Sequence, residues 1–264
     1  MKKQLLTLTA LLGLSLMLFS CSDDKTTSPD PDPTEDVSYV NSNITSYTYN
    51  EYDLDSENKE VTETTHQDSL NYEQQTSKDG KTADEYQVYT NVDGSYTSDG
   101  NEYYAGETNK LYAHLSVFQS MFANIEANGF SLESLFDGAG DWFLIADAKA
   151  TKAWTLFNGT VTFDLPIIGP TDGDVNITMA NKTTESIMIN DKATSVDRYS
   201  YTANIKATTP LGPIDLDVTG AFWIAPNIGI IRSNVNSFTV PIAEIAVEGS
   251  ERILVNYSLK TVEN

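Results

Sequence analysis

From about position 39 onward, apolar and polar residues alternate along much of this chain, a period of two that a strand can use and a helix cannot. Tyr199, Tyr201, Ala203, Ile205 and Ala207 fall on one face, with Arg198, Ser200, Thr202, Asn204 and Lys206 on the other. The next segment sets Ile214, Leu216, Val218, Phe222 and Ile224 against Asp215, Asp217 and Thr219. The last sets Ile253, Val255, Tyr257 and Leu259 against Asn256, Ser258 and Lys260. Shorter versions occur at Val161, Phe163, Leu165 and Ile167 and at Val175, Ile177 and Met179. Strands with one wet face predict an antiparallel sheet covered on one side. Turn chemistry punctuates the chain at Lys78-Asp79-Gly80, Asp93-Gly94, Asp99-Gly100, Asp172-Gly173 and Pro226-Asn227. The pattern predicts a meander of hairpins.

One segment departs from it. Leu111, Leu115, Phe118, Phe122 and Ile125 recur at the spacing of one helical face, with Thr108 or Asn109 placed to cap the start and Gly129 the end. A second short helix is predicted from Ser131 to Phe136, with Ser131 as its cap. These readings combine into a mainly β fold, a curved antiparallel sheet or open half-barrel of about ten strands, enclosing one central helix and a short second helix. No linker-like stretch interrupts residues 38–264, which predicts a single domain. Aromatic residues crowd around the helices between Phe118 and Phe157. They read either as the packed core of the curved sheet or as the lining of an apolar cavity. In the second case Phe118, Phe122, Trp142, Phe143, Trp154 and Phe157 would contact a lipid or other hydrophobic ligand on the concave face.

Ahead of the domain, Lys2 and Lys3 precede an uncharged run from Leu5 to Phe19. That run is shorter than the roughly 20 residues a membrane-spanning helix needs, and it has the layout of a secretory signal. Leu18-Phe19-Ser20-Cys21 resembles the bacterial lipobox, departing from it at Phe19, where Ala or Ser is commoner. Residues 1–20 are then a lipoprotein signal peptide, and Cys21 is the lipidated N-terminus of the mature chain. Cys21 is the only cysteine, so disulfides, a thiol nucleophile and a cysteine zinc cluster are excluded. Residues 22–36, SDDKTTSPDPDPTED, contain no apolar side chain and three prolines. Residues 21–37 therefore read as the lipidated cysteine and an extended acidic tether, which at about 3.1 Å per residue reaches roughly 45 Å from the membrane. Ser22 after the cysteine is compatible with outer-membrane delivery. Asp23-Asp24 resemble the surface-export signals of Bacteroidetes, or simply solvate the tether. The expected location is the outer membrane, lipid-anchored, on its periplasmic face or at the cell surface.

Charge narrows the partners. Without the two leader lysines the chain carries 14 basic and 38 acidic side chains. Such a surface repels nucleic acid and anionic lipid headgroups. The acids concentrate toward the N-terminal half.

Catalytic motifs are absent: there is no phosphate-cradling glycine loop, no G-x-S-x-G and no H-E-x-x-H. His66, in VTETTHQDSLNY, could share a strand face with Asp68 as a partial metal site, but reads as a surface residue of a wet strand. His114 reads as a helix-flank or capping residue. The acidic run Asp53 to Glu57 lacks the glycine of a calcium loop and reads as a hairpin turn. Asp68-Ser69-Leu70 resembles the short O-glycosylation acceptor of Bacteroidetes. No catalytic residue, metal or cofactor is expected, and the chain is not expected to be an enzyme.

The phrase from Phe222 to Arg232, FWIAPNIGIIR, is the most specific in the chain: a strand with aromatics on both faces, a Pro-Asn turn, a glycine suited to a bulge, and a second apolar strand. It resembles the hairpin near the C-terminus of TapB-like and related Gram-negative, Bacteroidetes-like lipoproteins, with Gly229 matching and Asn227 replacing the usual Gly. Lys78 to Thr90 looks like their N-terminal hairpins. The resemblance implies a fold similar to LolA and LolB, an unclosed barrel plugged by helices. It implies no catalytic residue. The expected function is that of a membrane-anchored, non-enzymatic envelope lipoprotein. Its partners are the membrane, through its lipid, and a hydrophobic ligand or envelope protein. The alternative is a surface-displayed structural or adhesive module with a fully packed core.

Overall fold

The computed structural model describes residues 36–92, 94–121, 140–165, 169–241 and 244–260. Five strands open the domain as a meander: β1 (Ile44–Leu54), β2 (Glu60–Lys78), β3 (Lys81–Val92), β4 (Ser95–Glu107) and β5 (Lys110–His114). The short helix α1 (Leu115–Met121) follows, then β6 (Trp142–Asp147), β7 (Trp154–Leu165), β8 (Gly169–Met179), β9 (Thr183–Ile189) and β10 (Lys192–Thr209). The chain ends with β11 (Gly212–Ala225), β12 (Gly229–Val235), the small pair β13 (Phe238–Val240) and β14 (Ile245–Val247), and β15 (Gly249–Leu259).

Thirteen of these strands form one antiparallel sheet, ordered β6-β5-β4-β3-β2-β1-β15-β12-β11-β10-β8-β7, with β9 beside the first half of β10. The first strand pairs the last, so the two ends of the domain are hydrogen-bonded at mid-sheet. The sheet curls until its outer strands approach: Trp154 Nε1 on β7 donates to the Leu144 carbonyl of β6 at 2.9 Å. The result is a nearly closed, barrel-like sheet rather than an open half-barrel of about ten strands.

Hairpin chemistry is local and falls where the turn residues place it. Asp79 and Gly80 take φ of 44° and 80° between β2 and β3, the two positive values a type I′ turn requires. Asn190 and Asp191 do the same between β9 and β10. Asp55 accepts the backbone N–H groups of Glu57 and Lys59, so the acidic run after β1 is a hairpin turn. Two expected turns are not turns. Asp99-Gly100 is a bulge within β4, where three steps from Ser98 to Asn101 face two from Tyr89 to Gln87 and Gly100 absorbs the kink at φ 92°. Asp172-Gly173 lies inside β8, paired to Thr162 and Val161.

The predicted central helix is also corrected. Leu111 and Ala113 are fully buried by strand alternation, with Leu111 opposite Gly106 of β4 and Ala146 of β6. Asn109 occupies the β4–β5 turn at φ 66° instead of capping a helix. The helical and strand periods coincide at the start of this segment, and ladder hydrogen bonds on both sides decide for strand. Among the described residues of this segment, Leu115 to Met121 is helical, and it is the one helix among the described residues. The second helix, at 131–136, lies outside the described residues.

Two apolar clusters fill the domain. The first gathers Tyr39, Val117, Phe118, Phe143, Val175, Met179, Tyr199, Phe222 and Ile224, and the second Ile44, Tyr47, Tyr49, Leu70, Tyr86, Val88, Trp223 and Leu254. β11 serves both: Phe222 and Ile224 enter the first, while Ala221, Trp223 and Ala225 enter the second.

Candidate functional site

Four of the six residues expected to line a cavity meet in the first cluster. Phe118 on α1 sits edge-on to Phe143 of β6 at 4.9 Å and to Phe222 at 6.1 Å. Trp154 meets Tyr199 at 6.0 Å, and Phe157 packs against the same core. Trp142 stands apart, since neighbours along a strand point to opposite faces. It lies edge-on to His114 at 5.2 Å and donates to the Lys78 carbonyl at 3.1 Å. Phe122 and Cys21 lie outside the described residues.

A residue that sequence reasoning passed over occupies the middle of the first cluster. Tyr39 precedes β1, is fully buried, and donates its hydroxyl proton to Asp197 Oδ2 at 2.8 Å. Its oxygen is 2.9 Å from that of Tyr199; with its own proton given to Asp197, it accepts from Tyr199. Burial, together with Tyr199 and Asp197, drives the Tyr39 phenol far above its usual range. The segment carrying it is strapped down on both sides. Val37 and Asn109 exchange hydrogen bonds of 2.9 and 2.7 Å, and the Ser38 carbonyl accepts from Asn227 at 2.7 Å. Tyr39, Tyr47, Tyr49, Leu70, Tyr86, Tyr104 and Ile230 enclose a cavity of about 20 Å³, room for about one water. Outside the strap, a wider depression of about 450 Å³ opens to solvent, with Asp36, Gln75, Asp84 and Glu107 among its lining residues.

The second group that sequence reasoning missed is a buried set of charges. Residues directly opposite in an antiparallel sheet share a face. One such row runs from His66 of β2 through Glu51, Arg252 and Ser233 to Phe222 and Tyr199. Its last members are core aromatics, so Glu51, His66 and Arg252 are on the core-facing side. Arg252 is 7% exposed. It donates from Nη1 to Glu102 Oε1 at 2.9 Å, places Nη2 at 3.7 Å from Asp68 Oδ2, and lies 4.5 Å from the centre of the Tyr49 ring. Glu102 also accepts the Tyr104 hydroxyl at 2.6 Å. His66 Nε2 is 3.6 Å from Glu51 Oε2 and 3.8 Å from Asp68 Oδ1. Burial pushes the Glu51 carboxyl up to about 8; Arg252 draws it back and Asp68 adds to the rise.

His66 is therefore not a residue of a wholly wet strand face, although its side chain stays 32% exposed. The H-x-D spacing was the legible signal, because i and i+2 share a face. Glu51, Glu102 and Arg252 arrive from three other strands, which no local pattern reveals. His114, just before α1, is 9% exposed and accepts the Ser116 backbone N–H at Nδ1, a capping contact. Its Nε2 then carries the proton and donates to Asp79 at 3.1 Å. Burial lowers the His114 pKa, with Asp79 opposing. Asp68-Ser69-Leu70 falls within the β1–β2–β3 ladder, with Asp68 and Leu70 buried, rather than on a loop.

The sequence matches no family profile and no curated protein. In fold, the chain is similar to a candidate lipoprotein from Parabacteroides distasonis ATCC 8503, with a TM-score of 0.50 and 12% identity over 85% of this chain and 100% of that one. This likeness concerns the barrel-like fold alone. Lower TM-scores of 0.41 and 0.32 relate the chain to two further proteins. The first is a candidate exported protein with a YmcC-like fold from Bacteroides fragilis NCTC 9343, at 13% identity over 85% of this chain and 100% of that one. The second is the hypothetical lipoprotein YmcC of Escherichia coli K12, at 11% identity over 83% of this chain and 86% of that one. The FWIAPNIGIIR phrase forms the β11–β12 hairpin, with a turn at Pro226–Ile228, a register shift after Trp223 and Gly229 at φ 103°.

Proposed function

We propose that this chain is a cell-envelope lipoprotein, anchored through Cys21 and an acidic tether, whose β domain acts as a non-enzymatic structural or binding module with a filled interior. The observation that carries the choice between module and lipid carrier is the packing around Tyr39. Pockets for small molecules typically measure about 300–1,000 Å³, whereas the enclosed space among Tyr39, Tyr47, Tyr86 and Ile230 is about 20 Å³. Among the described residues, Phe118, Phe143, Trp154 and Phe157 pack against core neighbours. The tether and the strap give the anchor a mechanical connection: pull applied at residue 36 passes to Val37 and Ser38, bonded to the β4–β5 and β11–β12 turns, and to Tyr39, bonded to Asp197 of β10. The surface is acidic, so an envelope partner would be met by polar or basic groups rather than by anionic lipid.

The test is a lipid inventory of the full chain carrying Cys21→Ser, which removes the protein's own anchor, so that any co-purifying lipid is cargo. The module reading expects native mass spectrometry and organic extraction to find none. A stoichiometric lipid that survives purification overturns it in favour of carriage.

A further inference from the structure

We propose that Glu51, His66 and Asp68 form a binding site for a transition-metal dication of the zinc type, opening to solvent at the edge of the buried charge cluster. Three observations converge on it. The first is geometric. One ligand atom from each residue lies within 4.8 Å of the other two, with 3.6 Å from His66 Nε2 to Glu51 and 3.8 Å from His66 Nε2 to Asp68. Oxygen and nitrogen ligands bound tetrahedrally at about 2.0–2.1 Å are roughly 3.3 Å apart, so the two contacts to His66 need only a few tenths of an ångström of closure, and the two carboxylates already lie within 4.8 Å of each other.

The second observation is an orphaned ligand. Asp68 is 3% exposed, and its Oδ1, the oxygen nearest the imidazole, has no hydrogen-bond partner. A buried carboxylate oxygen left bare costs free energy, and a cation restores its partner.

The third is charge. Arg252 faces both Glu102 at 2.9 Å and Asp68 at 3.7 Å, so with Glu51 a single cation is set among three carboxylates. The surplus of two negative charges lies beside an imidazole that must be neutral to ligate. A dication balances that surplus.

The ligand types select the metal. An imidazole with two carboxylates suits zinc and its neighbours, while calcium asks for six to eight oxygens. Three protein ligands leave a fourth position for water. The imidazole, about one-third exposed, provides access, whereas the second acid–histidine group, Asp79, His114 and Asp141, already uses both His114 nitrogens in hydrogen bonds.

The experiment titrates zinc alone into the chelator-stripped full chain, purified in mild detergent, by calorimetry, with cobalt as a spectroscopic substitute. One equivalent is expected to bind, with tetrahedral cobalt bands in the visible. His66→Ala, at a position exposed enough to leave the fold intact, is expected to weaken zinc by at least about 100-fold, since changes behind the ligands alone cost 10–100-fold. Asp68→Asn and Glu51→Gln are expected to do the same where circular dichroism shows them folded. His114→Ala is expected to bind as the parent does. Absence of one-equivalent binding, or binding by His66→Ala equal to the parent, overturns the site.

Discussion

The two ends of the row that crosses the sheet have opposite character. At the β10–β11 end it is made of Tyr199 and Phe222, both fully buried among Phe118, Tyr201 and Trp154. At the β1–β2 end it is made of Glu51, His66 and Arg252, with Asp68 and Glu102 close by. The same curvature that packs aromatics on one side desolvates charges on the other. Apolar burial at about 25 cal/mol per Å² stabilises outright. Buried ion pairs recover only part of their desolvation and count for more as a constraint on register, or as a site, than as a source of stability.

This contrast can be broken by mutation. The largest loss is expected from Phe222→Ala, about 4 kcal/mol from lost transfer and residual cavity, read as a lowered urea midpoint with unchanged slope. Next comes Arg252→Met, about 3 kcal/mol, because Glu102 and Asp68 stay buried without their cation. Replacing Glu102 by Gln in the same chain is expected to recover part of that loss. An Arg252→Met loss below about 1 kcal/mol would mean that water reaches the cluster and the two ends are not comparable.

The smallest effect is a pH dependence. Folded Glu51 holds its proton to about 8, against an ordinary value of 4.5. Between those values the folded chain binds more protons than the unfolded one, so this group's stabilisation is complete below about 4.5 and is lost as pH rises through about 8. Metal-free Glu51→Gln is expected to lack that decline and to gain on the order of 1–2 kcal/mol over the parent at pH 9. Chemical denaturation across pH 5–9 measures it. Parallel curves for the two proteins would remove Glu51 as the titrating group.

How far the chain could be read in advance differs between the same two ends. Tyr199 to Ala207 and Ile214 to Val218 alternate cleanly, and both became strands with the expected inward faces. β15 misled. Ile253, Val255, Tyr257 and Leu259 form an apolar series, yet Val255 and Leu259 are 43% and 56% exposed. The inward residues are Arg252, Leu254 and, beyond a register shift opposite Thr48 and Tyr49, Tyr257. A bulge moves every later side chain to the other face, and hydropathy cannot register an arginine held inside by carboxylates from β2 and β4. Tyr39 was illegible for a related reason. It follows a polar tether and precedes the first strand, so only its long-range partners Asp197 and Tyr199 identify it as core.

The sequence by itself determined the strand-rich class and several hairpin turns, because side-chain alternation and positive φ are properties of neighbouring residues. Its leader and lone cysteine set the expectation of an anchored chain. The tertiary structure alone decided that Leu111 is strand, that Asp99-Gly100 is a bulge, that the sheet nearly closes, and that Glu51, His66, Asp68, Glu102 and Arg252 share one buried space. Those outcomes depend on which strands become neighbours and in what register, a choice made by packing over the whole sheet.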